Sequence, residues 1–157
     1  MKRSLQQLML RWINVWPPLL GAGIRVRWHS NQVVDVEMKL RAWNRNYVGT
    51  HYGGSLYSMT DPFYMLMLME NLGRDYIVWD KAASIRFRKP GKGRVKAEFR
   101  LSDVQLDEIR NKLTTLEKYE PTFAVEVRDE AGDIVAEVQK VLHIRRKNAA
   151  GTVTVAE

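Results

Sequence analysis

The chain has no cysteine among its 157 residues. Disulfides, thiolate nucleophiles and thiolate metal sites are excluded, and the absence fits the reducing cytoplasm, the expected location. Histidine is almost as scarce. His29, His51 and His143 show no ligand spacing, so no metal site is expected. No stretch is apolar over the ~20 residues that a bilayer-spanning helix needs. Met1-Lys2-Arg3 is followed by an apolar segment broken by Gln6, Gln7, Arg11 and Asn14, which does not read as a signal peptide. No internal repeat and no low-complexity block occur.

What is present describes one globular domain over 1–157. Hydrophobic residues make up 45% and charged residues 27%, enough to build and solubilise a core of this size. The net charge of +7 is spread over many segments and is not gathered in a tail. That distribution speaks against a nucleic-acid partner and fits a small ligand carrying phosphates.

Leu5, Leu8, Met9, Trp12, Ile13 and Trp16 share a helical face, and Pro17-Pro18 is expected to stop that helix. Residues 1–18 thus read as an N-terminal helix packed on the domain; its Trp residues and Arg11 would also suit a membrane surface. Alternation predicts strands around 24–29 and 34–41, then an Asn- and Gly-rich loop over 43–52. From Gly53 to about Leu72 the chain is apolar nearly all round, the mark of a buried helix, and Gly73 stops it. Alternating segments 83–88 and 95–101, joined by Pro90-Gly91-Lys92-Gly93, read as a hairpin. Ser102-Asp103-Val104-Gln105 is a capping box opening a second helix. Two further strands follow, around 123–127 and 134–144, and residues 147–157 read as a flexible tail. The economical arrangement is α+β: one antiparallel sheet curled around the buried helix. A second copy or the N-terminal helix would cover what the sheet leaves bare.

Candidate chemistry gathers at the start of that helix. Asp61 lies seven residues after Gly54. Seven residues of continuous helix turn about 700° and rise about 10 Å, so both would share a face. Free N–H groups at the Gly53-Gly54 end could polarise a carbonyl, and the carboxylate of Asp61 could activate a water. Pro62 removes the N–H that would bond the Ser58 carbonyl, which predicts a kink. The bland alternative is that Asp61 bonds back to Ser58 or Thr60, or pairs with an Arg of a neighbouring strand. Asn46, in the loop, could hold a water or a carbonyl, or only stabilise its own turn. His51 has the range of a general base. Arg86, Arg88, Lys89, Lys92 and Arg94 surround the Pro-Gly turn as a solvated end or a phosphate cradle.

On Asn46, Gly53-Gly54, Asp61, the strand over 83–87 and its Pro-Gly turn, the chain resembles the hotdog-fold acyl-CoA thioesterases of the phenylacetate-degradation type. Within that superfamily it is most similar to an uncharacterised bacterial branch. The resemblance covers roughly 33–144. It implies a hotdog fold: an antiparallel sheet wrapped around a central helix, here with an extra N-terminal helix. It also implies a homodimer or homotetramer whose site crosses the interface, and hydrolysis of a small acyl thioester. Coenzyme A would enter as part of the substrate, with no separate cofactor. By the same resemblance, the Gly54 N–H would be the oxyanion donor, Asp61 the base or nucleophile, and Asn46 the orienter. Tyr52, Gly53 and His51 would line the substrate, and Arg86, Arg88 and Lys89 would face the nucleotide end. Position 52 departs from the pattern: it carries Tyr52 where these enzymes commonly have His, with His51 one step earlier. No His follows Gly54 within the helix, so the chemistry of related hotdog dehydratases is not expected. Tyr52 and Pro62 also suggest an alternative, a non-catalytic acyl-CoA or lipid binder of the same fold.

Overall fold

In a computed structural model that describes residues 12–147, the alternating segments become strands of one antiparallel sheet. In chain order they are β1 (Ile24–Ser30), β2 (Val33–Lys39), β3 (Tyr76–Phe87), β4 (Arg94–Arg100), β5 (Lys118–Tyr119), β6 (Thr122–Asp129) and β7 (Ile134–Arg146). The spatial order is β1-β2-β4-β6-β7-β3, with the short β5 also paired to β7. Inward positions such as Val34, Val36, Met38, Val95, Ala97, Phe99, Val125 and Val127 are buried, and their neighbours along each strand face out.

The concave face wraps the apolar segment, as the hotdog arrangement requires. That segment is two helices, α2 (Gly53–Ser58) and α3 (Phe63–Leu72), separated by a break at 59–62. Phe63 and Tyr64 pack on Phe99 with ring centroids 5.0 and 5.1 Å apart, and Tyr64 stacks on Phe123 at 4.7 Å. The Tyr64 hydroxyl donates to the Ala124 carbonyl, so its polar end is satisfied inside the core. A fully buried Phe contributes about 1.5–3 kcal/mol, so this aromatic group is a main anchor of helix to sheet. Gly73 ends α3 at φ +84°, a conformation that favours glycine. Helix α4 (Asp103–Thr115) has the expected capping box: Ser102 Oγ accepts from the Gln105 N–H, and the Gln105 side chain accepts from the Ser102 N–H.

Two expectations are corrected. β3 and β4 form no hairpin: β3 pairs with β7 along its length, and β4 lies between β2 and β6. β3 has 12 residues and β7 has 13, whereas β4 offers only 7, so β7 satisfies more of the backbone of β3. The segment between β3 and β4 is instead pinned by Arg88 N–H to Val135 O, Leu40 N–H to Gly93 O and His51 N–H to Gly91 O. Pro17-Pro18, expected only as a stop, opens a helix of its own, α1 (Pro17–Ala22). A fixed φ and a missing N–H suit the first turn of a helix, where amides have no partner in any case. Ahead of it, Ile13–Val15 form a single 3-10 turn. The rest of the expected helix, residues 1–11, and the expected tail beyond Lys147 lie outside the described residues. No helix among the described residues is long and apolar enough to cross a membrane.

Candidate active site

Asp61 sits in the break between α2 and α3, and Pro62 accounts for that break. With no N–H at 62, the Ser58 carbonyl takes a long bond of 3.4 Å from the Asp61 N–H, and Thr60 N–H turns to Tyr57 O at 2.8 Å. The chain tightens from i−4 to i−3 bonding and restarts with Leu66 N–H to Pro62 O. The expected kink is therefore a full interruption, and the shared helical face of Gly54 and Asp61, which assumed continuous helix, does not carry over. Nor is Asp61 sealed in: its side chain is 48% exposed.

The partner of Asp61 is neither Ser58, Thr60 nor an Arg but Lys140 on β7. Lys140 Nζ lies 2.7 Å from Asp61 Oδ1 and 3.1 Å from Asp80 Oδ1, and its side chain is 0% exposed. The contact to Asp80 has ion-pair distance without the alignment of a hydrogen bond. The Tyr57 hydroxyl donates to the same Asp61 oxygen at 2.9 Å and stands 3.5 Å from Lys140 Nζ. Asp61 Oδ2 meets no donor among the described residues. Burial works against the Lys140 ammonium, but the carboxylates of Asp61 and Asp80 outweigh it, so its pKa is raised. Burial pushes the Asp80 carboxyl up, opposed by Lys140, and burial together with Asp61 pushes the Tyr57 hydroxyl up. Asp80 reaches this point from an irregularity in β3, where the register with β7 shifts between Asp80 and Ala82.

The glycine pair is explained by aromatic neighbours. A Cβ on Gly54 would come 2.4 Å from the Tyr52 ring, and one on Gly53 would come 3.1 Å from the Phe87 ring. The amides of both glycines, in the first turn of α2, meet no acceptor among the described residues. Gly53 lines an open cleft of about 370 Å³ with Asn46, Thr50, His51, Phe87 and Lys89. Gly54 lines a neighbouring one of about 390 Å³ with Trp43, Arg45, Tyr52 and Ser58. Asp61 lines neither cleft.

The Asn46 side chain is occupied by its own loop. Oδ1 accepts from the Val48 and Thr50 N–H groups, and Nδ2 donates to Thr50 Oγ1 and the His51 carbonyl. His51 is 2% exposed, and burial pushes its pKa down against the contact with Gly93. The neutral ring donates from Nε2 to the Gly93 carbonyl at 3.2 Å, which leaves a bare, unpartnered Nδ1. Tyr52, by contrast, is exposed at the mouth of its cleft. At the basic turn Arg88 pairs with Glu137, Lys89 with Asp129 and Asp133, and Arg94 with Glu37. Arg86 and Lys92 form no ion pair among the described residues, which also place no three His, Asp or Glu side chains to hold a metal ion.

One protomer thus gathers Asn46, His51, Gly53, Arg88 and Lys89 at one cleft, puts Gly54 and Tyr52 at the next, and holds Asp61 elsewhere with Tyr57, Asp80 and Lys140. Lys140 was missed in the sequence although a signal was there. It stands in phase with Ala136, Val138, Leu142 and Ile144, as the one charged residue on the inward side of that run. A cation in a buried register implies an anion opposite it.

A family model described as "Domain of unknown function (DUF4442)" matches residues 5–144. No curated protein matches the sequence. Among solved structures, the chain is similar to a Pseudomonas aeruginosa protein of unknown function described as a "Probable Thioesterase", with 22% identity, 89% of this chain and 95% of that chain covered, and a TM-score of 0.77. A candidate thioesterase from Shewanella oneidensis gives 20% identity over 88% and 95%, with a TM-score of 0.65. A Haemophilus influenzae thioesterase gives 13% over 93% of both chains, also at 0.65. At these identities the likeness establishes the shared hotdog fold.

Proposed function

This chain belongs to the DUF4442 family, and on that premise we propose that it hydrolyses an acyl thioester whose carrier is coenzyme A. The observation that carries the reading is the carboxylate of Asp61, held through Oδ1, half exposed, and met at Oδ2 by no donor among the described residues. A fixed, ionised carboxylate with one open oxygen is what general-base activation of water requires. Oδ2 takes a proton from water as the water oxygen adds to the thioester carbonyl carbon. Collapse of the tetrahedral intermediate breaks the C–S bond, and the leaving thiolate takes the proton back from Asp61, giving carboxylic acid and thiol. The oxyanion formed on the way is met by the unpartnered N–H of Gly54. Asn46 acts one step removed, by fixing the loop that presents Gly53 and Gly54.

Because Asp61 and the glycine clefts do not converge within one protomer, the reacting centre is assigned to a homo-oligomer, with Asp61 of one copy facing the 46–54 loop of another. Tyr47, Val48, Tyr52 and Phe87, all exposed large side chains around that loop, and the free outer edge of β3 support the assignment. Arg86 and Lys92, which form no ion pair among the described residues, are the cations of the basic turn left to meet the nucleotide phosphates. Arg88 and Lys89 would first have to release their carboxylates.

The ion pair between Asp61 and Lys140 favours a second reading, an acyl-CoA or lipid binder without turnover, because a carboxylate is also the ordinary way to satisfy a buried lysine. A panel of acyl-CoAs separates the two. The first reading expects free thiol release by the purified protein on at least one chain length. The second expects saturable binding with no thiol released on any.

A further inference from the structure

Resting on the reading of Asp61 as the reacting carboxylate, we propose that Lys140 is a positioning residue for it: with Tyr57 it clamps Asp61 by Oδ1 and so aims Oδ2 at the attacking water. Lys140 occupies a place where the strand otherwise turns apolar residues toward the helix, with Val138 and Leu142 both fully or almost fully buried beside it. Placing an ammonium there carries a desolvation penalty that only a partner can offset. A lysine kept only to fill space would be better replaced by Leu or Met, which need no partner. The charge instead meets carboxylates, and its short hydrogen bond goes to Asp61. Lys140 Nζ at 2.7 Å and the Tyr57 hydroxyl at 2.9 Å both point at Asp61 Oδ1, while Oδ2 meets no donor among the described residues. The Tyr57 ring lies under the ammonium, its centroid 5.3 Å from Nζ, which fixes Lys140 from a second side.

Asp80 makes the arrangement more than a simple salt bridge. It supplies a second carboxylate 3.1 Å from Nζ, so two anions share one cation. Asp61 is anchored by Lys140 without being fully neutralised by it, and its free oxygen keeps negative charge for the water. Tyr57 from α2, Asp61 from the helix break, Asp80 from β3 and Lys140 from β7 are the titratable groups that meet here among the described residues. Removing the cation and removing the second anion should therefore move the reaction's acid limb in opposite directions.

The test is the kcat–pH profile of thioester hydrolysis in full-length Lys140→Met, Asp80→Asn and Tyr57→Phe, each checked for folding by urea denaturation. Lys140→Met is expected to lower kcat about 10²-fold with KM nearly unchanged. Its acid limb should move up, because a stabilising cation has gone. Asp80→Asn should move the acid limb down, because a repelling anion has gone. Tyr57→Phe should lower kcat about tenfold and move the limb up by less than Lys140→Met does, since it removes one hydrogen bond to the carboxylate and no charge. If Lys140→Met does not fold, the opposed shift in Asp80→Asn and the kcat loss in Tyr57→Phe decide alone. A folded Lys140→Met with wild-type kcat and profile overturns the proposal, as does an Asp80→Asn profile that coincides with wild type. If Asp61→Asn abolishes hydrolysis while these variants behave as wild type, only the role of Lys140 falls. If Asp61→Asn hydrolyses at the wild-type rate, the reading of Asp61 falls first.

Discussion

Glu120 shows how far neighbours set the charge of a single side chain. Hydrogen bonds from Lys81 and from His143, each at 2.7 Å, hold its carboxyl down at about 2. His143 is itself stacked on Trp79 with centroids 4.0 Å apart, so the cluster ties β3, β7 and the chain entering β6 together. A carboxyl held below its ordinary value stabilises the fold above that value, and the contribution is lost as pH falls. The window therefore runs from 4.5 down toward about 2. Urea midpoints should show wild type more stable than Glu120→Gln at pH 6, with the gap closing across that window. A gap independent of pH would mean that Glu120 acts through packing alone. At this scale the sequence was legible where the question was local: the capping residues Ser102 and Gln105, and the proline behind the break at Asp61. It was not legible for Asn46, where a loop-stabilising role and a substrate role use the same residue type, and only hydrogen-bond partners separate them. For Lys140 the period-two register held the signal, and reading the strand by its apolar members alone passed over it.

At the scale of elements, the segment between β3 and β4 carries the basic turn. The five cations in and beside it divide into three that pair with carboxylates and two, Arg86 and Lys92, that form no ion pair among the described residues. An Arg86→Ala, Lys92→Ala double variant should raise KM for an acyl-CoA about fivefold while leaving KM for the matching acyl-pantetheine, which lacks the nucleotide, unchanged. Equal changes for both substrates would place the nucleotide elsewhere. The strands on either side were visible from alternation, but their pairing was not. Two alternating segments joined by a Pro-Gly turn suggest a hairpin on local grounds, whereas partners are chosen by ladder length across the whole chain, and β7 matches β3 better than β4 does. The helix that the double proline opens was not legible for a related reason: the same fixed φ that ends one helix begins another, and only the residues after it, Leu19 buried and Gly23 closing α1, reveal the second.

For the whole molecule, the proposed centre needs two copies, because the half-exposed Asp61 lines neither the cleft at Gly53 nor the cleft at Gly54 of its own chain. Two inactive variants then complement each other. Asp61→Asn keeps the loop, and Gly54→Pro, which removes the amide N–H, keeps the carboxylate. Mixed after subunit exchange, half of the dimers are hybrids with one of two sites intact, so about a quarter of wild-type thiol release should return. No recovery from folded, exchanging variants would place both groups in one chain. The wrapped sheet and buried helix behind this layout were readable from periodicity and apolar content, since a helix apolar on all sides requires cover on all sides. The lysine beneath Asp61 depends on contacts 79 residues apart in sequence, which no local pattern encodes.

The central claim is that the carboxylate of Asp61 performs the chemistry. The direct measurement is kcat/KM for thiol release from the best acyl-CoA, wild type against Asp61→Asn, with both proteins shown to be equally folded. Asn keeps the shape and removes the base. Asp61→Asn should lower kcat/KM by at least about 10²-fold. An Asp61→Asn protein that releases thiol at the wild-type rate would contradict it.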